Sequence, residues 1–284
     1  SRVSRLDFHL HTTHSDGSCT PAEVIALAGK AGVTALAITD HDITTGIPEA
    51  TAAGKALGIE IIPGLEISSL LGGSELHMLG YFLDHQDARL NERLTRLRES
   101  RHRRNPKIIE CLQAAGIDIT YDEVRALAGT DAVGRPHIAR VLMGKGVVSS
   151  AKEAFDQWLA DGRPAYVPRE LPTPAEAIRW IREAKGLAVL AHPTWVKTTE
   201  GTLTDLVRAL KADGLDGVEV HYSTHTPRQT RDYLALAKQQ GLLVTGGSDF
   251  HGLTKPDIEV GIGKGSLHVP DSLLDKMKNA AARQ

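Results

Sequence analysis

Two histidines one residue apart, His9 and His11 in Leu6-Asp7-Phe8-His9-Leu10-His11, open the chemistry of this chain. In an extended strand alternate side chains share a face, so both imidazoles aim at one point while Phe8 and Leu10 share the other face. Asp16 follows five residues later. Further nitrogen and carboxylate donors recur where apolar stretches end: His41 after Ala35 to Thr39, Glu66 after Ile59 to Leu65, His77, His192 after Leu187 to Ala191, and Asp249 with His251 after Leu242 to Val244. Imidazole and carboxylate gathered at many strand ends form the donor set of a polynuclear site for Mn, Fe or Zn, whose chemistry is hydrolysis. Thiolate ligation is disfavoured. Cys19 and Cys111 are too few for a disulfide scaffold and suit a reducing compartment.

Positioning such donors requires many strands that end near one another. The chain supplies them as alternating strand and helix patterns. Thr20-Pro21-Ala22-Glu23 and Thr173-Pro174-Ala175-Glu176 read as capping boxes that start helices. Strands are expected at Ala35 to Thr39, Ile59 to Ile62, Ser74 to Phe82, Leu187 to Leu190, Gly217 to Val220 and Leu242 to Thr245, with Glu66 to Leu70 as an antiparallel neighbour of Ser74 to Phe82. No Gly-x-Gly-x-x-Gly follows a strand, and the candidate ligands are spread over many strand ends, so a closed or nearly closed α/β barrel is expected rather than an open dinucleotide-binding sheet. Leu90, Leu94 and Leu97, then Ile108, Ile109 and Leu112, form helical stripes interrupted near Pro106. With the short helices that follow, they define a strand-free helical insertion over 99–163, flanked by barrel segments 1–98 and 164–284.

The 33 Lys plus Arg against 35 Asp plus Glu give a formal charge of -2, so no global basic bias marks the chain as a nucleic-acid binder. The run Arg93, Arg96, Arg98, Arg101, Arg103 and Arg104 reads first as a solvated helix face and second as a contact for an RNA backbone. No apolar run reaches the roughly 20 residues of a membrane span, and Ser1 to Arg5 lack the apolar core of a leader. A cytoplasmic protein without membrane contact and without an obligate protein partner is the expectation.

The ligand order resembles the PHP (polymerase and histidinol phosphatase) family. Its opening His-x-His pair falls on His9 and His11, its next ligand on Asp16, and its Thr-Asp-His motif on His41. The bridging glutamate falls on Glu66, the later histidines on His77 and His192, and the closing Asp-x-His on Asp249 and His251. The resemblance implies a distorted (β/α)7 TIM-like barrel of PHP type holding two or three divalent cations, Mn foremost, with Fe or Zn as alternatives. One cation would use His9, His11, Glu66 and Asp249, a second Glu66, His77 and His192, and a third Asp16, His41 and His251. Pro63 to Ser68, Arg135 to Arg140 and Gly162 to Pro168 resemble the subgroup of 3′,5′-nucleoside bisphosphate phosphatases and 5′→3′ exoribonucleases known as RNase AM. In that subgroup the insertion borders the substrate pocket, which makes Arg135 and His137 candidates for phosphate recognition. Where the subgroup continues Ala-His-Pro with Gly-Arg-Tyr, this chain has Thr194-Trp195-Val196-Lys197, so Trp195 and Lys197 become candidates for base stacking and phosphate neutralisation.

The resemblance implies a metal-dependent phosphoester hydrolase that converts nucleoside 3′,5′-bisphosphate to nucleoside 5′-monophosphate and phosphate. Asp249, Glu66 and His225 are the candidate catalytic residues, with His225 also a candidate phosphate contact. A short 5′-phosphorylated RNA could present a phosphodiester to the same centre. Histidinol phosphate is the alternative substrate, and a metal- or nucleotide-binding sensor the alternative outside enzymology.

Overall fold

The computed structural model describes residues 5–129, 132–198 and 200–284; residues 1–4, within the stretch read for a leader, lie outside the described residues. Seven strands pair in chain order: β1 (Leu6–Leu10), β2 (Ala35–Ile38), β3 (Glu60–Leu71), β4 (Ser74–Tyr81), β5 (Leu187–Leu190), β6 (Gly217–Tyr222) and β7 (Leu243–Gly247). All neighbours run parallel except β4, which is antiparallel to both β3 and β5. The curled sheet brings its last strand back to its first. There the Asp249 N–H donates to the His9 carbonyl at 2.8 Å and the His11 N–H to the Phe250 carbonyl at 3.0 Å. The buried Asp7 carboxylate ties the same seam by accepting the N–H groups of Ser248 and Gly261, each at 2.9 Å. The expected α/β architecture is therefore present as a nearly closed, distorted seven-stranded barrel surrounded by helices.

Helix α1 (Pro21–Lys30) starts at Thr20 with both halves of its capping box formed, and α2 (Ile47–Leu57) packs beside it. The long α3 (Ala88–Ala114) is followed by α4 (Tyr121–Ala128), α5 (Arg135–Gly144) and α6 (Ala151–Ala154), the last running into a π-helical turn at Phe155–Leu159. The strand-helix order then resumes with α7 (Pro174–Glu183), α8 (Leu203–Ala212), α9 (Pro227–Gln240) and α10 (Leu273–Ala281). Thr173 caps α7 as expected, and the same reciprocal device recurs as Thr202 with Asp205 and Thr226 with Gln229.

Three local expectations are corrected. Pro106 does not interrupt α3: the helix runs through it, losing one N–H donor but keeping both apolar stripes. Leu90, Leu94 and Leu97 join the core built on β3 to β6, whereas Ile108, Ile109 and Leu112 join a separate core with Ile138, Leu142 and Leu159. One helix is thus buried in two cores, and each such aliphatic side chain contributes about 1.5–3 kcal/mol. Second, the short strand at Ile59 to Ile62 and the segment Glu66 to Leu70 are one strand. Pro63 stands at the end of the parallel pairing with β2, and the chain continues from Gly64 by antiparallel pairing with β4. Third, Phe8 and Leu10 do not share a face. A register shift between Asp7 and Leu10 sends Phe8 to a core with Tyr81 and Ala191, and Leu10 to one with Val24, Ile25 and Ala28 of α1. Among the described residues no helix is long and apolar enough to cross a membrane.

Candidate metal centre

All nine candidate ligands converge at one end of the barrel, in three groups whose donor atoms lie within 4.8 Å of one another. His9, His11, Glu66 and Asp249 form the first, Glu66, His77 and His192 the second, and Asp16, His41 and His251 with His11 the third. His11 and Glu66 each enter two of these groups. Glu66 stands at the middle. Its Oε2 lies 3.1 Å from Nε2 of both His9 and His11, and its Oε1 lies 2.9 Å from His77 Nδ1 and 3.2 Å from His192 Nε2. Asp249 Oδ1 is 3.2 Å from His9 Nε2 and 3.0 Å from His11 Nε2, and Asp16 Oδ1 is 3.1 Å from His251 Nε2.

The donor set fits divalent cations. Neither ring nitrogen of buried His11 meets hydrogen-bond geometry, although its Nε2 sits 3.0–3.1 Å from two carboxylate oxygens; His41 Nδ1 is likewise buried without a partner. His11 turns Nε2 to Glu66 and Asp249 of the first group and Nδ1 towards Asp16 of the third at 3.8 Å, so a cation in each group would satisfy nitrogen and oxygen together. The electrostatics demand positive charge there. Burial by itself would lower His11 and His77, but the neighbouring carboxylates outweigh it, pushing His11 up to about 9 through Asp249 and Glu66, and His77 up to about 10 through Glu66 and Glu75. Burial opposes ionisation of Glu66, Asp16 and Asp249 too. The surrounding histidines, with Lys255 beside Asp249, nevertheless hold all three carboxyls well below the usual range.

Residues outside the nine orient them. Glu219 Oε2 is 2.7 Å from His9 Nδ1, and the same carboxylate accepts the His192 backbone N–H at 2.8 Å. The Tyr222 hydroxyl donates to Asp249 Oδ2 at 2.6 Å. A regular strand would point residues 219 and 222 to opposite faces, but a register shift between Glu219 and His221 lets both serve the centre. The Asp40 carboxylate accepts from the Thr12 N–H and hydroxyl and from the Ser15 hydroxyl, holding the loop that carries Asp16. Of the five non-glycine residues with positive φ among the described residues, three lie here: Asp42, His192 and Asp249. Each such conformation costs of order 1–3 kcal/mol and persists because the surroundings impose it.

The other candidates divide. Arg135 stands over the Phe155 ring and donates to the Leu159 carbonyl at 3.0 Å; buried His137 accepts the Gly134 N–H at 2.9 Å, and burial pushes its imidazole below the ordinary histidine value. Trp195 is 59% exposed beside His192, with its indole in reach of the Tyr222 hydroxyl, and Lys197 is exposed. His225 is not among the nine. Its ring lies tilted against Tyr222 and edge-on to Tyr233, its Nδ1 2.7 Å from the Val220 carbonyl.

Arg169 and Lys255 escaped the sequence reading, and Arg101 was read only as one member of the arginine run. Arg101 of α3 and Arg169 both reach Asp42 Oδ2, at 3.1 and 2.9 Å, directly after ligand His41, and Lys255 reaches Asp249 Oδ2 at 3.0 Å. The arginine run is therefore not a uniform solvated face: Arg98 donates to the Asp42 carbonyl and Arg104 to the Val167 carbonyl, while Arg96 and Arg103 remain exposed. Position in an amphipathic stripe was the only signal available, and it does not report which arginine meets an aspartate 59 residues away.

Comparison with known proteins agrees with this geometry. The PHP domain family matches residues 7–161. A 3′,5′-nucleoside bisphosphate phosphatase of Chromobacterium violaceum is 34% identical over 250 residues, 88% of each chain. A 5′-3′ exoribonuclease of Haemophilus influenzae is 37% identical over 249 residues, 88% of this chain and 90% of that one. The solved structure of an amidohydrolase from Chromobacterium violaceum, with bound sulfate and no metal, superposes with a TM-score of 0.87 at 33% identity, covering 94% of this chain and 92% of that one.

Proposed function

Because the chain belongs to the PHP domain family and is a metal-dependent phosphoester hydrolase of that family, we propose that it removes the 3′-phosphate from nucleoside 3′,5′-bisphosphates. The products are nucleoside 5′-monophosphate and inorganic phosphate, with water as the second reactant. In this reading His9, His11, Asp16, His41, Glu66, His77, His192, Asp249 and His251 hold two or three divalent cations, Mn foremost. Bound there, such cations supply Lewis-acid neutralisation of the phosphoryl oxygens and a lowered water pKa.

One observation carries the choice of a bisphosphate. Arg101 and Arg169 come from separate stretches of the chain yet share Asp42 Oδ2 at 3.1 and 2.9 Å, directly after ligand His41, and Arg135 is near enough to weigh on Arg101 and on Glu75, the partner of His77. Asp42 supplies one negative charge between Arg101 and Arg169, so with Arg135 the cluster keeps an excess of positive charge that suits a further anion, and we assign that anion as the 5′-phosphate. Two of these arginines lie in 99–163, which we take as a cap bordering the pocket. His137 supports its first turn at Gly134, and Trp195 offers an open indole face to the base. Asp249, whose Oδ1 faces His9 and His11 in the first group, is the carboxylate we assign to assist proton transfer during attack.

The test is phosphate release from Mn-loaded protein with adenosine 3′,5′-bisphosphate, 3′-AMP, 5′-AMP and histidinol phosphate at equal concentrations. Strong preference for the bisphosphate supports the reading. Equal rates with 3′-AMP remove the 5′ anchor, and preference for histidinol phosphate replaces it. The likeness to the Haemophilus influenzae exoribonuclease favours a second reading, trimming of short 5′-phosphorylated RNA, which product sizing in the same experiment decides.

A further inference from the structure

Lys255 lies six residues beyond Asp249, in the loop after β7, and no step described so far requires it. Its ammonium is 3.0 Å from Asp249 Oδ2 while 37% of the side chain stays open to solvent. The loop is fixed rather than loose. The Leu253 N–H donates to the Ser18 hydroxyl at 3.0 Å, the Ser18 N–H to the His251 carbonyl at 2.8 Å, and the Lys255 N–H to the Gly252 carbonyl at 3.0 Å.

A structural salt bridge would be the simple account of this lysine, but Asp249 does not need one. Its Oδ1 faces His9 and His11, and its Oδ2 is already held by the Tyr222 hydroxyl at 2.6 Å. Asp249 belongs to the first ligand group and its Oδ1 lies 3.6 Å from Nδ1 of His251 in the third, so the ammonium on Asp249 stands at the junction of the two. Once cations draw on the Asp249 carboxylate, the ammonium beside it is left partly uncompensated, a position that suits a bound anion.

Resting on the phosphoester reading above, we propose that Lys255 is a substrate contact: its ammonium, parked on Asp249, takes a non-bridging oxygen of the phosphoryl group presented to the metal centre. It faces that group from the β7 side, opposite in sequence and origin to the arginines of the cap. The lysine thereby favours a phosphomonoester dianion, which offers one more free oxygen than a diester.

The test is calorimetric titration of inorganic phosphate into Mn-loaded wild type and K255M, with Mn content measured on the same samples. Expected are unchanged Mn content and phosphate binding weakened roughly tenfold or more, as for one lost charge-assisted hydrogen bond. Unchanged phosphate affinity with full Mn content overturns the proposal, and so does loss of Mn from K255M, which would make the lysine a support for Asp249 alone. Phosphate binding is read without turnover. A wild-type enzyme that fails on nucleoside bisphosphate therefore refutes the substrate assignment and leaves the test of Lys255 intact.

Discussion

The carboxylate of Glu219 joins two ligand groups: one oxygen stands 2.7 Å from His9 Nδ1 and the other accepts the backbone N–H of His192 at 2.8 Å. His9 and His192 belong to different groups of the centre, and their rings stack at 5.7 Å. A single buried side chain on β6 thus sets the tautomer of one ligand and the backbone position of another.

Glu219→Gln preserves this shape but loses the charge that favours a protonated His9 Nδ1. Metal affinity or turnover is expected to fall about 10–100-fold, the range for partners of metal-bound histidine. Mn titration alongside kcat checks it; wild-type values in both would remove Glu219 from the centre's support.

Stripping the cations leaves the imidazoles and carboxylates facing each other in a buried space. A cation held at 100 times its Kd stabilises the folded chain by about 2.7 kcal/mol, so chelator-treated protein should melt several degrees lower and recover on addition of Mn. Differential scanning calorimetry reads this directly. An unchanged melting temperature would mean that the groups do not hold metal.

Arg169 is 6% exposed at its side chain and shares Asp42 Oδ2 with Arg101. In Arg169→Met, Asp42 keeps one guanidinium, so the fold is expected to survive. KM for the 3′,5′-bisphosphate should rise roughly tenfold or more while 3′-AMP hydrolysis stays near wild type. A parallel loss on both substrates would contradict a 5′-phosphate anchor.

The seam between β1 and β7 tolerates no side chain at position 247. A Cβ on Gly247 would stand 2.4 Å from the His9 Cβ and 2.5 Å from the His9 nitrogen. Gly247→Ala should cost about 1–3 kcal/mol or more through overpacking and should weaken metal binding with it, because the displaced strand carries a ligand. Urea denaturation with and without Mn measures both effects.

Burial, with the charges of His268 and His225, lowers His221 to about 4. The unfolded chain therefore binds a proton at this residue below its ordinary pKa of 6.5, before the folded chain does. The resulting stability is fully present above pH 6.5 and is lost as pH falls towards 4. Denaturant midpoints of wild type and His221→Gln across that window should converge or cross at the acid end. Parallel profiles would show that His221 does not contribute to acid lability.

Much of the centre was legible in the order of residue types alone. His9, His11, Asp16, His41, Glu66, His77, His192, Asp249 and His251 each follow an apolar strand or sit in one, and a barrel collects strand ends in one place whatever the loops between them do. The βα alternation and the capping boxes at Thr20 and Thr173 were legible for the same reason, since local periodicity and local hydrogen bonds produce them. What required tertiary structure was every relationship that depends on register or on distant partners. Two register shifts decided that Leu10 leaves the face of Phe8 and that Glu219 and Tyr222 both serve the centre. The meeting of Arg101 and Arg169 on Asp42, and of Lys255 on Asp249, follows from chain paths closing around the barrel. Side-chain pattern states what a residue can do, but a bulge of one residue reverses which way it faces, and only the packed backbone records where the bulges fall.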